Sequence, residues 1–172
     1  MTAIDQIQLK YDAVADRLML RISTTGGREF RFWLTRRFVK KAWPALVESL
    51  ATSPRMGNAV SPTARRELLA FEHQKAVSRA NFSAPFRDTA TRLSPQQEPL
   101  LVTKLHIRPT ADGRGRLLVL VPESDQGVDL VLTEGLLHSL CALLSRITPT
   151  TDWGLASPLQ TPSMSTDGAT VN

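Results

Sequence analysis

Apolar and polar residues alternate with a period of two in three short runs near the start of the chain. IQLKY places Ile7, Leu9 and Tyr11 on one face, RLMLRIS places Leu18, Leu20 and Ile22, and EFRFWL places Phe30, Phe32 and Leu34. DAVAD and TTGG lie between these runs as turns, so three antiparallel strands are predicted. The period then changes. Thr35 stands where a helix N-cap belongs, and Phe38, Val39, Ala42, Trp43, Leu46, Val47 and Leu50 recur at helical spacing. Pro44 falls inside this helix and has no N–H for the Lys40 carbonyl, which predicts a kink or a restart there.

The same order of parts returns between about Leu101 and Ile147. VTKLHIRP, RLLVLVP and VDLVL are strands, TADGRG and ESDQG are turns, and TEGLLHSLCALLSRI is an amphipathic helix. At a spacing of 98 residues Leu34-Thr35 falls on Leu132-Thr133, and Phe38, Val39, Ala42 and Leu46 fall on Leu136, Leu137, Leu140 and Leu144. Arg17-Leu18 matches Arg116-Leu117 only at a spacing of 99, which predicts a second hairpin shorter by one residue. The expected fold class is α+β. Two β-β-β-α meander-plus-helix units, related by internal duplication, form an antiparallel six-stranded sheet, a sandwich or a barrel. A single domain is expected over 1–147, with unit one at 4–50, a middle helix and linker at 51–100 and unit two at 101–147.

Ser61-Pro62 reads as an N-cap and first helical residue ahead of TARRELLAFEHQKAVSRA. The apolar positions of this middle helix, Leu68, Leu69, Phe71, Ala76 and Val77, form a ragged stripe, so loose packing is expected. RDTATRLSPQQEP reads as a linker. From Thr148 the chain is dominated by Thr, Ser, Pro and Gly, which predicts a disordered tail over 148–172. Trp153 and Leu155 stand out in it, either as a short docking motif or as a pair that folds back on the domain.

Strand alternation sends the residues between the core positions outward. On unit one these are Gln8, Lys10, Met19, Arg21, Arg31 and Trp33, cations beside an aromatic plate, the combination that binds single-stranded nucleic acid. On unit two the outward set reads Lys104, His106, Arg108, Leu118, Leu120, Asp129 and Val131, an apolar patch that calls for a covering element or a partner. Helical spacing turns Arg37, Lys40, Lys41, Pro44 and Glu48 to solvent. With Arg36, the cations crowd a helix N-terminus whose dipole disfavours them, a cost that binding an anionic partner would justify.

Charge strengthens this picture. The chain has 172 residues, 42% of them apolar, and a net charge of +5. Residues 1–50 carry nine Lys/Arg against five Asp/Glu, and residues 51–100 seven against four, whereas 101–147 balance at five each and 148–172 hold two acids alone. An anionic partner therefore meets the first half. The lone Cys141 excludes an internal disulfide and a thiolate cluster, and its position matches Trp43, so a buried structural cysteine is expected. His138 lies one turn before it, half of a possible metal or thiolate–imidazole site for which only His73 and His106 remain as distant candidates. Asp12 and Asp16 suit turn chemistry, and neither Gly-rich turn precedes a helix as a phosphate loop does. No apolar run approaches the roughly 20 residues of a membrane span, and MTAIDQIQLKYD lacks the order of a secretory signal; a cytoplasmic protein is expected.

The segment YDAVADRLMLRISTTGGREFRFWLTRRFVKKAW, most specifically GREFRFWLTRR, resembles an uncharacterised family of small bacterial proteins over about residues 4–50. The resemblance implies no activity, cofactor or site. The residues themselves predict a non-enzymatic interaction or assembly module without cofactor, metal or evident small-molecule substrate. Its partner is another protein or a second copy of the chain, with nucleic acid as the alternative. The candidate contact residues are Lys10, Arg21, Arg31, Trp33, Arg36, Arg37, Lys40 and Lys41. An enzyme, the third choice, would need His138 and Cys141 to share a cavity with another polar group.

Overall fold

The structure is a computed structural model and describes residues 3–57, 61–87, 92–93, 98–124 and 126–159. The first unit forms β1 (Ile4–Asp12), β2 (Arg17–Thr24), β3 (Arg28–Thr35) and α1 (Arg36–Ala51). The middle helix is α2 (Pro62–Arg79), and Arg92–Leu93 form a two-residue strand, β4. The second unit forms β5 (Leu100–Pro109), β6 (Gly115–Pro122), β7 (Val128–Thr133) and α3 (Glu134–Ile147). The N-caps act as their residue types require: Thr35, Ser61 and Thr133 accept from the backbone N–H of Phe38, Ala64 and Leu136. α1 runs through the exposed Pro44 without restarting.

Six strands make one open sheet in the order β1-β2-β3-β5-β6-β7, with β4 beside β3 off that path. β1 and β7 share no ladder, so the alternatives of a sandwich and a closed barrel do not hold. Neighbours are antiparallel within each unit, and the units join through a short parallel contact, Phe32 to Leu100 and Trp33 to Leu101.

The ladders of the two units keep the same register 98 residues apart. Ile7 pairs with Ile22 and Leu105 with Leu120; Leu20 pairs with Phe32 and Leu118 with Leu130; both first strands slip at the same place, after Ile4 and after Val102. The second hairpin is therefore not shorter, and Leu18 corresponds to Arg116, not to Leu117. This reverses the expected orientation of β6. Leu118 and Leu120 point inward and are only 2% and 4% exposed, while Leu117 and Val119 take the outer face with the half-buried Val131. The outward apolar residues of the second unit are therefore Leu117, Val119 and Val131, each half-buried, and not Leu118 and Leu120.

α1 and α3 pack on each other and on the inner face of the sheet, and each crosses to the other unit: α1 lies against β5 and α3 against β1. Leu18, Leu20, Ile22, Phe32 and Leu34 thus share one core with Leu118, Leu120, Leu130 and Leu132, sealed by Trp43 and Cys141 from the two helices. α2 rests outside this layer with Leu69 as its one buried residue, and Phe71 is exposed, as the ragged stripe predicts.

The expected disorder does not begin at Thr148. A 3-10 turn at Thr148–Thr150 carries the chain back across the sheet, where Trp153 is 1% exposed and donates its indole N–H to Asp16 at 2.6 Å. Tyr11 donates to the same carboxylate at 2.8 Å and meets the indole edge-on, so the DWGL segment folds back and is no free docking motif. These two hydrogen bonds hold the Asp16 carboxyl below the usual carboxylate range. The tail from 160, and linker residues 88–91 and 94–97, lie outside the described residues.

Candidate interaction site: a basic cleft beside an open strand edge

Thr35 ends β3 by capping α1, whereas β5, its parallel neighbour, continues to Pro109. The sheet therefore splits. Beyond Leu101 no described strand pairs with the edge of β5 that faces α1, so alternate N–H and C=O groups of β5 point into the gap. Helix and strand run side by side: β3 delivers the start of α1 near Leu101, and at the far end Arg116 of β6 reaches Ser49 of α1. The cleft between them measures about 1050 Å³, the upper end of the roughly 300–1,000 Å³ of ligand sites.

Its floor is apolar, with Phe38, Ala42, Leu105 and Ile107, and its walls are cationic. Arg37 and Lys41, one helical turn apart on α1, line it together with Lys104 and Arg108, which leave β5 toward the outer face, and Glu48 is the one acid among the described lining residues. All four cations are exposed. A fifth, Arg116, is only 7% exposed and occupies the position that Leu18 holds in the first unit. Its Nε donates to Ser49 Oγ at 2.8 Å, Nη2 to the Ser49 carbonyl at 2.9 Å and Nη1 to the Gly115 carbonyl at 3.1 Å. No carboxylate among the described residues pairs with it.

The eight residues expected from the sequence divide into three places. Arg37 and Lys41 line the cleft. Arg36 and Lys40 are exposed elsewhere on α1, Arg36 close enough to Asp16 to act on its charge. Lys10, Arg21, Arg31 and Trp33 lie on the outer face of the sheet, opposite the face that α1 covers. There Arg21 and Arg31 donate to one oxygen of Glu29 at 2.8 and 2.7 Å, and Phe86 stacks 4.2 Å from the Arg21 guanidinium. Glu29 is 2% exposed; burial pushes its pKa up, but the two arginines outweigh that and hold it below the usual value. The sequence reading missed Lys104, Arg108 and Arg116 as cleft residues. The available signal was that LVTKLHIRP outlasts EFRFWLT as a strand, but only the strand order makes these two neighbours.

A second cleft lies where the 98-residue correspondence puts it, between α3 and the edge of β1. Its Gly135, Ser139, Gln6 and Ile7 stand where the first has Arg37, Lys41, Lys104 and Leu105. Residues 81–87, the stretch after α2, lie along it. Gln6 donates through Nε2 to the Pro85 carbonyl at 3.5 Å and accepts the Arg87 N–H at 3.0 Å, while Arg87 pairs with Asp5 at 3.2 Å. Phe82 sits under the Arg146 guanidinium at 4.1 Å.

Reactive groups are sparse elsewhere. Burial pushes the Cys141 thiol up to about 12, so it stays protonated. His138, one helical turn from it, meets His73 of α2, Nδ1 to Nδ1 at 3.1 Å. Among the described residues no group of three His, Cys, Asp or Glu side chains is placed to hold a metal. The histidine contact needs one ring as donor and the other as acceptor, so both nitrogens cannot carry protons. Burial, reinforced by His73, lowers His138 to about 4, and burial lowers His73. Both folded values lie below the unfolded one, so this pair's stabilisation is complete above pH 6.5 and is lost as pH falls. For His138 the loss by pH 4 is on the order of 3 kcal/mol, at about 1.4 kcal/mol per unit. Urea titrations between pH 8 and 4 check this, and His138→Leu is expected to flatten most of the slope; an unchanged slope contradicts the assignment.

No helix among the described residues is long and apolar enough to cross a membrane. No family model, no curated protein and no solved structure matches the chain.

Proposed function

We propose that the protein is a non-enzymatic interaction module and that the cleft between α1 and β5 is its binding surface for an anionic protein partner. The observation that carries the reading is five cations against one carboxylate around an open strand edge. An edge strand offers backbone donors and acceptors to any extended chain. Lys104 and Arg108 repel a basic strand and attract an acidic one, which supplies selectivity as well as protection against self-pairing. The apolar floor adds burial. A single-stranded nucleic acid would use the same charges, but base stacking needs exposed rings and the cleft lining has only the half-buried Phe38. The common register of the two units supports an origin by internal duplication, with cations lining one cleft and residues 81–87 lining the other.

Fluorescence anisotropy tests the reading with a labelled peptide alternating valine and glutamate, its glutamine counterpart and an oligothymidylate. The acidic peptide is expected to bind, with affinity that falls as salt rises, and the double variant Arg37→Glu/Lys41→Glu to weaken it at least about 100-fold, as loss and reversal of close charge pairs do. Preference for the oligothymidylate, or indifference to the double variant, would overturn it.

A further inference from the structure

We infer that the partner enters the α1–β5 cleft as an extended segment and seats one carboxylate side chain on Arg116. This rests on the cleft being the binding surface and adds the mode of binding and the group recognised.

The mode follows from the matching cleft. There a stretch of non-helical chain lies beside the edge of β1, and one edge side chain, Gln6, reads its backbone by serving a carbonyl and an N–H two residues apart. An ion pair fixes the end of that stretch, Arg87 on Asp5. The open cleft has the same strand edge and helix wall, with cations where the matching cleft has neutral side chains. Lys104 stands for Gln6 and Thr103 for Asp5, and Arg37 and Lys41 stand for Gly135 and Ser139. Lysine donates only, so Lys104 serves a carbonyl or a carboxylate of the occupant, whose acids replace the arginine of the internal segment.

The group recognised follows from Arg116. A guanidinium has five N–H donors, and three are taken by neutral oxygens of Ser49 and Gly115. One N–H remains on each terminal nitrogen, the donor pair that a planar carboxylate accepts in bidentate fashion. A cation this deeply buried, with no carboxylate paired to it among the described residues, raises the free energy of the empty cleft, and an entering carboxylate relieves it. Ser49 holds the guanidinium in place beforehand, so little side-chain entropy is lost on binding.

NMR of the full chain tests this, because the Nε–H of Arg116, buried and bonded to Ser49, is a resolvable reporter. On titration with the valine–glutamate peptide this resonance is expected to shift, and with the glutamine peptide to stay. Arg116→Lys, which keeps the charge but loses the fork, is expected to weaken the acidic peptide by about 10- to 100-fold, the range of a charge-assisted hydrogen bond. The wild-type titration decides even if that variant misfolds. Binding that is lost in Arg37→Glu/Lys41→Glu while the Arg116 signal never moves would overturn the carboxylate seat and leave the cleft standing. Absence of peptide binding would overturn both, as would an Arg116 shift produced by oligothymidylate alone.

Discussion

Trp153→Ala is expected to destabilise the protein by about 3–5 kcal/mol, the range for removing a fully buried large aromatic side chain. The indole fills a site between the chain after α3 and the β1–β2 hairpin, packs against Tyr11 and donates to Asp16. Asp16 itself has a φ of 48°, a left-handed conformation tolerated by Asp at a turn, so the carboxylate is presented by a backbone shaped for it. Trp153→Phe keeps a ring and loses the N–H, and a smaller loss is expected. Urea denaturation of the three proteins gives the ordering. An alanine variant within 1 kcal/mol of the parent would mean that the returning segment is not part of the cooperative fold.

Cutting the chain between its units is expected to abolish folding of both pieces. Each helix covers the other unit's first strand, α1 on β5 and α3 on β1, so an isolated unit exposes half a core and lacks the helix that should cover it. Fragments 1–57 and 98–172 are expected to show no cooperative thermal transition alone and to regain one when mixed. A cooperative transition in either fragment by itself would contradict the shared core.

Much of this architecture is legible in the chain, because alternation and caps are local. Ile7, Leu9, Leu18, Leu20 and Ile22 read as one face and are one face; Thr35, Ser61 and Thr133 read as caps and cap. The orientation of β6 was not legible from RLLVLVP, where apolar residues fill both faces and the period of two vanishes. Its arginine matches Arg17 in residue type, yet Arg116 takes an inward position that Leu18 fills in the first unit, stabilised by Ser49 far away in sequence. The basic helix was legible and its use was not. Arg37 and Lys41 gain their neighbours Lys104 and Arg108 only because β5 pairs in parallel with β3 and outruns it. Composition suggested a loose tail from Thr148, but Trp153 is buried and bonds Asp16, Leu155 and Leu159 pack against the core, and Ser157 meets Ser145.

Addition of an acidic chain to the open edge of β5 is expected to register, residue by residue, in the amide hydrogen exchange of that strand. With the valine–glutamate peptide bound, alternate amides between Thr103 and Arg108, those pointing toward α1, are expected to become protected, while the amides already paired with β6 keep their rates. Peptide binding with no added protection on β5, or protection confined to the outer-face residues around Trp33, would contradict it.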